Sequence, residues 1–338
     1  MTRPGIAFIV ALATCEGSSS TKPEPSTEQP PATETPPVEE NEPRATSSDP
    51  SRHIFGLSDA QLASQDAIAA STEARRALLA AGARGLRIDA PFEVDGTASE
   101  VPVVGFRAVE GASVAAFSPG GWWVGVQLER PGFVVGSTVS AKMPAGGKMA
   151  AGGKMAAGSE AARPSGGVVS EAFRFDLRAV LPAISWGAGA VRVHAVHGGD
   201  VSNGVTITAA GGEPSSPPMP PAIPHAAGPD TEAPEALSLR GPGSAVTEPG
   251  AEVTFEGAVQ GSGAEAAVFL FATDGTSSGP FVARIDTPLT EGRGTFSFNL
   301  LGDNPLPKAP GTWHVYAFSG EHVAGPATIE LTPGAKPW

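Results

Sequence analysis

The feature that most restricts what this chain can fold into is an internal echo. Phe173, Phe175, Asp176 and Leu177 return as Phe296, Phe298, Asn299 and Leu300, 123 residues later. Val193, Ala195, Gly198, Val201, Thr206 and Ile207 then return as Val315, Ala317, Gly320, Val323, Thr328 and Ile329 at a separation of 122. A nearly constant spacing held over so many positions implies a duplicated unit, and the second copy must share the fold of the first. In the front halves, Phe106 and Phe255 pair at a separation of 149, which implies about 27 additional residues in the first copy. They are visible as the six-residue repeat beginning Lys142-Met-Pro-Ala-Gly-Gly and continuing through Lys148-Met and Lys154-Met. Glycine pairs and a lack of apolar surface make the insertion, 142–167, a flexible loop between strands. Its methionines have the chemistry of a copper(I) ligand set. Expansion of a tolerated surface loop is the simpler origin.

Both copies carry period-two patterning, the mark of half-buried strands. In the first it runs through Val101-Pro-Val-Val-Gly-Phe106, Trp122-Trp-Val-Gly-Val-Gln-Leu128, Phe173-Arg-Phe-Asp-Leu177 and Val191-Arg-Val-His-Ala195. In the second it runs through Val253-Thr-Phe255, Ala267-Val-Phe-Leu-Phe271, Thr295-Phe-Ser-Phe-Asn-Leu300 and Trp313-His-Val-Tyr-Ala317. The expectation is a mainly β protein with module 1 over 86–212, a Pro-rich linker over 213–234 and module 2 over 235–338. Gly and Pro number 43 and 34 of 338 residues, but they gather in linkers, turns and the repeat. Charged residues at 17% and aromatics at 6% exclude a coiled coil, a collagen-like repeat and a long transmembrane bundle, each of which needs a very different composition.

One helix precedes the modules, within 53–85. Ser58 is placed to cap its amides, Gln61 to reach back, and Leu57 to staple onto Leu62. The Ala-rich interior then predicts helix from Asp59 to about Ala81, with Gly82 or Gly85 as the stop. Its apolar residues, Leu62, Ile68, Leu78 and Leu79, are sparse and irregularly spaced, which suggests docking by a narrow stripe.

The N-terminal residues have another purpose. Arg3 precedes an apolar run from Ile6 to Ala13 that is too short to span a bilayer, as in a signal peptide core. Leu12-Ala13-Thr14-Cys15 resembles the lipobox of bacterial lipoproteins. The resemblance implies a signal over 1–14, lipidation of Cys15 and attachment to a membrane through the acyl chains. Residues 16–52, rich in Pro, Glu, Ser and Thr, have almost nothing to bury and form an extended tether. The implied address is the bacterial cell envelope, at the outer membrane or cell surface, with a periplasmic or secreted protein as the alternative.

Cys15 is also the only cysteine, so no intrachain disulfide and no cysteine-based metal site can form. Acidic residues exceed basic ones by 35 to 22, and a net charge of −13 opposes binding to nucleic acid. Neither a Gly-x-Ser-x-Gly elbow nor a phosphate-binding Gly-rich loop is present. His194 and His197 stand three apart with Asp200 nearby. On a strand, residues three apart point to opposite faces, so the expectation is an exposed His194 and a loop His197 without a metal. Trp122 and Trp123 likewise take opposite faces. One belongs to the core, and the other is exposed as a sugar or protein contact or covered by the N-terminal helix. No catalytic residue, metal or cofactor is expected. Trp122, Trp123, His194, His197 and Asp200 are the candidate ligand contacts.

Gly311-Thr312-Trp313-His314-Val315 is similar to the Gly-x-Tyr-x-Cys stretch that opens strand F in immunoglobulin-like sandwiches, and Gly189-x-Val191-x-Val193 looks like a second copy. Trp313, Val315 and Ala317 would then face the core, with His314 and Tyr316 facing out. The resemblance implies two tandem Ig-like β-sandwiches, of the kind found in bacterial envelope proteins. A non-enzymatic lipoprotein presenting such modules to an envelope protein or a glycan, or in a structural role, is the expected function. The alternative is a periplasmic or surface enzyme, or its accessory subunit, with a site in module 1.

Overall fold

The computed structural model describes residues 53–110, 123–128, 132–137, 168–182, 184, 186, 189–211, 219–228, 236–248, 250–274, 280–302 and 310–334. The signal segment, Cys15, the tether through residue 52, Trp122 and the insertion 142–167 lie outside the described residues.

The chain begins with three short helices, α1 (Asp59–Ala63), α2 (Ala67–Ala70) and α3 (Thr72–Ala80). Module 1 then contributes β1 (Gly85–Asp89), β2 (Glu93–Asp95), β3 (Pro102–Glu110), β4 (Trp123–Leu128), β5 (Phe133–Ser137) and β6 (Val168–Asp176). After the single turn α4 (Leu177–Val180) it ends with β7 (Gly189–His197), β8 (Asp200–Val201) and β9 (Val205–Ala210). Module 2 contains β10 (Leu237–Arg240), β11 (Ser244–Thr247), β12 (Thr254–Gln260), β13 (Glu265–Thr273), β14 (Phe281–Pro288), β15 (Arg293–Asn299), β16 (Gly311–Ser319) and β17 (His322–Pro333).

Module 1 pairs its strands in the orders β1-β3-β6 and β2-β9-β7-β4-β5, with β8 hanging on β7. Module 2 repeats this as β10-β12-β15 and β11-β17-β16-β13-β14. In each, the short strand at the edge of the larger sheet runs parallel to its neighbour, β2 to β9 and β11 to β17, while the other strand pairings are antiparallel. These are two tandem Ig-like sandwiches. In module 1, Leu86, Val103, Phe173 and Phe175 of the smaller sheet close on Val124, Val193, Ala195 and Ile207 of the larger. In module 2, Phe255, Phe296 and Phe298 close on Leu270, Trp313, Val315 and Ile329. Trp313, Val315 and Ala317 are inward, as alternation along β16 predicts.

The pairing registers correct one expectation from the duplication. Val103 lies opposite Phe175 and Gly105 opposite Phe173, just as Phe255 lies opposite Phe298 and Gly257 opposite Phe296. Phe255 therefore answers to Val103, three residues from Phe106. In both modules a side chain on the glycine would run into the ring of its partner phenylalanine, so glycine is required where that ring folds over the strand. The end of this strand pair is also repeated. The Val101 amide donates to Asp176 Oδ1 at 2.8 Å, and the Val253 amide to Asn299 Oδ1 at 3.0 Å. The amides of Leu177 and Leu300 then donate to the carbonyls of Val101 and Val253, both at 2.9 Å.

The helical segment starts as expected. Ser58 Oγ accepts from the Gln61 amide and Gln61 Oε1 accepts from the Ser58 amide, completing a capping box. It does not continue unbroken to Ala81. Ser64 ends α1 in an extended conformation, and its hydroxyl donates to the Gln61 carbonyl. Ser71 donates likewise to the Ile68 carbonyl, which also accepts from Arg75. Side chains of this type compete for the carbonyls that a regular helix would use. The breaks re-aim the sparse apolar residues: Leu62 and Ala67 are buried against Val104, Phe106 and Ala108 on the outer face of β3, with Ile68, Leu78 and Leu79 around them.

The Pro-rich linker is docked in part. The Ile223 amide donates to the Arg284 carbonyl at 2.9 Å, and the Arg284 amide to the Pro221 carbonyl at 3.0 Å. The Ser297 amide donates to the Ala226 carbonyl at 2.8 Å. Residues 219–228 thus satisfy edge groups of β14 and β15 that would otherwise invite pairing with another chain.

Candidate functional site

Of the candidate ligand contacts, Trp122 falls outside the described residues, and the structure puts the others at one end of module 1 where module 2 meets it. Trp123 opens β4 and is buried. What covers it is module 2; the N-terminal helices lie over β3 instead. His194, expected to be exposed, is 2% exposed, with its ring 5.3 Å from that of Phe318. Burial, aided by the nearby Arg192 guanidinium, pulls its pKa down to about 4, so the ring is neutral at pH 7. His197 closes β7 and is also buried, where a loop position was expected. It is opposite Asp200 in the β7–β8 pairing. Along β7, His194 follows Arg192 and precedes Val196, whereas His197 continues the row of Val193 and Ala195, so the two imidazoles sit on opposite faces.

Asp200 Oδ2 accepts from Arg107 Nε at 2.7 Å, and Arg107 is 6% exposed. That pair bridges β3 of the smaller sheet to β8 of the larger. Among the described residues no group of three or more His, Cys, Asp or Glu is arranged to hold a metal ion. The arrangement of His194, His197 and Asp200 serves packing between and within modules.

The contact between the modules is a seam formed by the outer faces of the two larger sheets. Phe133 stacks on Phe269 with ring centroids 5.4 Å apart and meets Phe318 at 5.1 Å. Trp123, Val196, Phe271 and Tyr316 complete the buried cluster. Tyr316 Oη donates to the Gly198 carbonyl at 2.9 Å, and burial pushes its phenol well above the usual range. Arg192 and Glu321 face each other across the rim at 3.5 Å. Tyr316 does point away from the core of its own module, as alternation predicts, but it points into this seam.

The seam joins equivalent positions. The pairing of β4 with β7 and of β13 with β16 makes Trp123 the counterpart of Phe269, and Val196 the counterpart of Phe318. By the same registers Val135 answers to Val282 and Val201 to Val323, and all four pairs lie in the seam. His194 answers to Tyr316. The match is partial: by the same registers Phe271 answers to Gly125, and Phe133, one residue before the counterpart of Phe281, answers to Pro280, so the two faces share positions without being the same patch.

A second polar constellation escaped sequence reasoning. His53, whose side chain is fully buried, has Nδ1 2.8 Å from Asp89 Oδ1 and Nε2 2.8 Å from Asp59 Oδ1. Phe92 stacks on the ring at 4.1 Å. Asp89 Oδ2 accepts from the Phe55 amide, and Asp59 Oδ1 also accepts from the Phe92 amide. Burial raises the Asp89 pKa, against the opposing pull of these hydrogen bonds. Alternation along Leu86-Arg-Ile88-Asp89-Ala90 puts Asp89 with Arg87 on the face away from Leu86 and Ile88, a position that sequence leaves to solvent, so this buried carboxylate carries no local signal. Beside this cluster lies a cavity of about 450 Å³, walled by Ile54, Ile88, Phe92 and Val205 and rimmed by Glu93, Thr206 and Thr208.

No family model matches the chain. No curated protein matches it either. A solved structure, the crystal structure of red sea bream transglutaminase, aligns over 80% of this chain and 34% of that chain, with 10% identity and a TM-score of 0.20. The chain spans about a third of that structure's length, and a likeness of this size bears on neither fold nor chemistry.

Proposed function

We propose that the chain is a non-enzymatic envelope lipoprotein that carries a docked pair of Ig-like modules on a tether, in a binding or structural role toward an envelope protein or a glycan. The observation that supports it is the seam. Trp123 and His194, the residues of module 1 best suited to chemistry or to ligand contact, are enclosed by Phe318 and its neighbours, and Asp200 is bound to Arg107. Trp123 and His194 thus contribute to joining the two modules, and Asp200 to joining the two sheets of module 1. What such a unit offers to a partner is its loops and its remaining sheet edges, the usual recognition surfaces of a β-sandwich. Cys15, in a stretch resembling a lipobox, supplies the anchor, and residues 16–52 hold the modules off the membrane.

The anchor is tested by metabolic labelling with a fatty acid in a bacterial host, comparing the full chain with its Cys15→Ser variant. The expected result is label and membrane fractionation in the first and loss of both in the second. Unchanged labelling of the variant would overturn the lipoprotein reading. The enzymatic alternative gains if zinc or copper is retained in stoichiometric amount through purification and is lost in a His197→Ala variant.

A further inference from the structure

We infer that the cavity beside the His53 cluster is a saccharide site of module 1, in which Phe92 and Ile54 meet the apolar face of a neutral sugar ring while Glu93, Thr206 and Thr208 bond its hydroxyls. The inference rests on the binding role proposed above and gives the glycan a place. Its first support is that the fold does not need an aromatic ring here. The Thr208 amide donates to the Phe92 carbonyl at 2.7 Å, and in module 2 the Glu330 amide donates to the Gly243 carbonyl at 3.0 Å, so Gly243 is the counterpart of Phe92. A side chain on Gly243 would meet nothing within 4 Å, so neither pairing nor packing calls for one. Module 1 nevertheless carries a phenylalanine and holds it in place. Its ring stacks on the buried His53 with centroids 4.1 Å apart, and its amide donates to Asp59 Oδ1 at 3.0 Å. Asn203 fixes the floor in the same manner, accepting from the Ile88 amide at 3.0 Å and donating to the Ile88 carbonyl at 2.9 Å. A preformed wall lowers the ordering cost of binding. Ile54, which completes the apolar side, is one of three large apolar side chains that the described residues leave exposed.

The polar side is a shelf on the outer face of the larger sheet. Thr206 and Thr208 alternate outward from Val205 and Ile207 on β9, and Glu93 of β2 lies opposite Thr208, which sets carboxylate and hydroxyl side by side. The Arg192 guanidinium reaches Thr206 Oγ1 at 3.5 Å, so a carboxylate and a guanidinium flank the shelf and the ligand they suit has no net charge. Asp89 also borders the cavity, but its oxygens are engaged by His53 and by the amides of Phe55 and Ala90. Sugar hydroxyls, which donate and accept alike, match this mixture of groups. The volume of about 450 Å³ falls low in the roughly 300–1,000 Å³ range of small-ligand sites and holds about one or two sugar rings.

Methyl spectra of the full chain labelled at isoleucine provide the test, with Ile54 and Ile88 in the cavity wall and Ile285, in the core of module 2, as the reference. Cellobiose, chitobiose, maltose and trilysine are titrated in turn. The expected result is that at least one disaccharide shifts both cavity methyls, saturating at about millimolar concentration, while Ile285 stays in place and trilysine shifts neither. Thr208→Val, at an exposed position, should weaken that sugar at least about fivefold. Phe92→Leu, which keeps an apolar side chain but removes the flat ring, should do the same, and an unchanged Ile285 signal in each variant reports an intact fold. Disaccharide shifts that spare Ile54 and Ile88, with parental affinity in both variants, would overturn this site and leave a glycan partner elsewhere on the modules. Shifts of the cavity methyls by trilysine alone would overturn it in favour of a cationic ligand. No shift by any disaccharide at up to about 20 mM would overturn both the site and the glycan role, and leave the anchor at Cys15 to its own labelling test.

Discussion

The two modules share a strand order and a core, and they differ most on the outer face of the smaller sheet. Module 1 places Val104, Phe106 and Ala108 there. At the counterpart positions module 2 places Glu256, Ala258 and Gln260. An apolar outer face requires a cover, and module 1 has one in α1 to α3, whereas a polar face can meet water directly. The helices are thus a consequence of three side chains on one strand. The same strand order carries a third layer, of helices, over the smaller sheet of module 1.

The sharpest way to break this comparison is to remove the side chain that demands the cover. Phe106→Ala should destabilise the protein by about 3–5 kcal/mol in urea unfolding, because it leaves a cavity between the helices and the sheet. Glu256→Ala, at the exposed counterpart of Val104, should stay within about 0.5 kcal/mol of the parent. Comparable losses from both would show that the helices are not what distinguishes the two faces.

The seam offers a second contrast, between His194 and its counterpart Tyr316. With a folded pKa of about 4 against the usual 6.5, His194 takes up its proton later than the unfolded chain does. Its stabilisation is therefore complete above about pH 6.5 and is lost as pH falls toward 4, to the extent of about 3 kcal/mol. A His194→Tyr variant, made to resemble module 2, should lose most of that slope in stability measured across this pH range. A slope that persists in the variant would place the acid sensitivity elsewhere.

Each module is also entered by a docked segment, and the two dockings differ in depth. His53, fully buried, links Asp59 to Asp89 at the entrance to module 1, while His225, exposed, gives one contact to the Thr295 carbonyl of module 2. Asp59→Ala should cost about 1.5–3 kcal/mol, since it strands a buried imidazole and an amide. His225→Ala should change stability by no more than about 0.5 kcal/mol in the same assay.

These contrasts separate what the sequence discloses from what it hides. Strand character, the duplication from β6 to β9 and from β15 to β17, and the capping box at Ser58 are local or periodic signals, and they could be read directly. The front register is hidden because the phenylalanines are not at equivalent positions: the matching pattern is Val101-x-Val-x-Gly105 with Val253-x-Phe-x-Gly257, which sets Phe255 against Val103 rather than Phe106. The breaks at Ser64 and Ser71 depend on side chains competing for carbonyls, which helix propensity does not weigh. The seam left one trace, the run from Ala266 to Ala272, where both faces of β13 are apolar as in a strand covered on both sides. What covers it depends on tertiary docking, and so does the pairing of His53 with Asp89, 36 residues away.

The docking of module 1 on module 2 is tested most directly by a double-mutant cycle on Phe133 and Phe269, which touch only across the seam. Phe133→Ala, Phe269→Ala and the combined variant are compared with the parent by urea unfolding. The account predicts a coupling of about 0.5–1.5 kcal/mol, as expected for a stacked aromatic pair. Effects that add to within about 0.3 kcal/mol would contradict it.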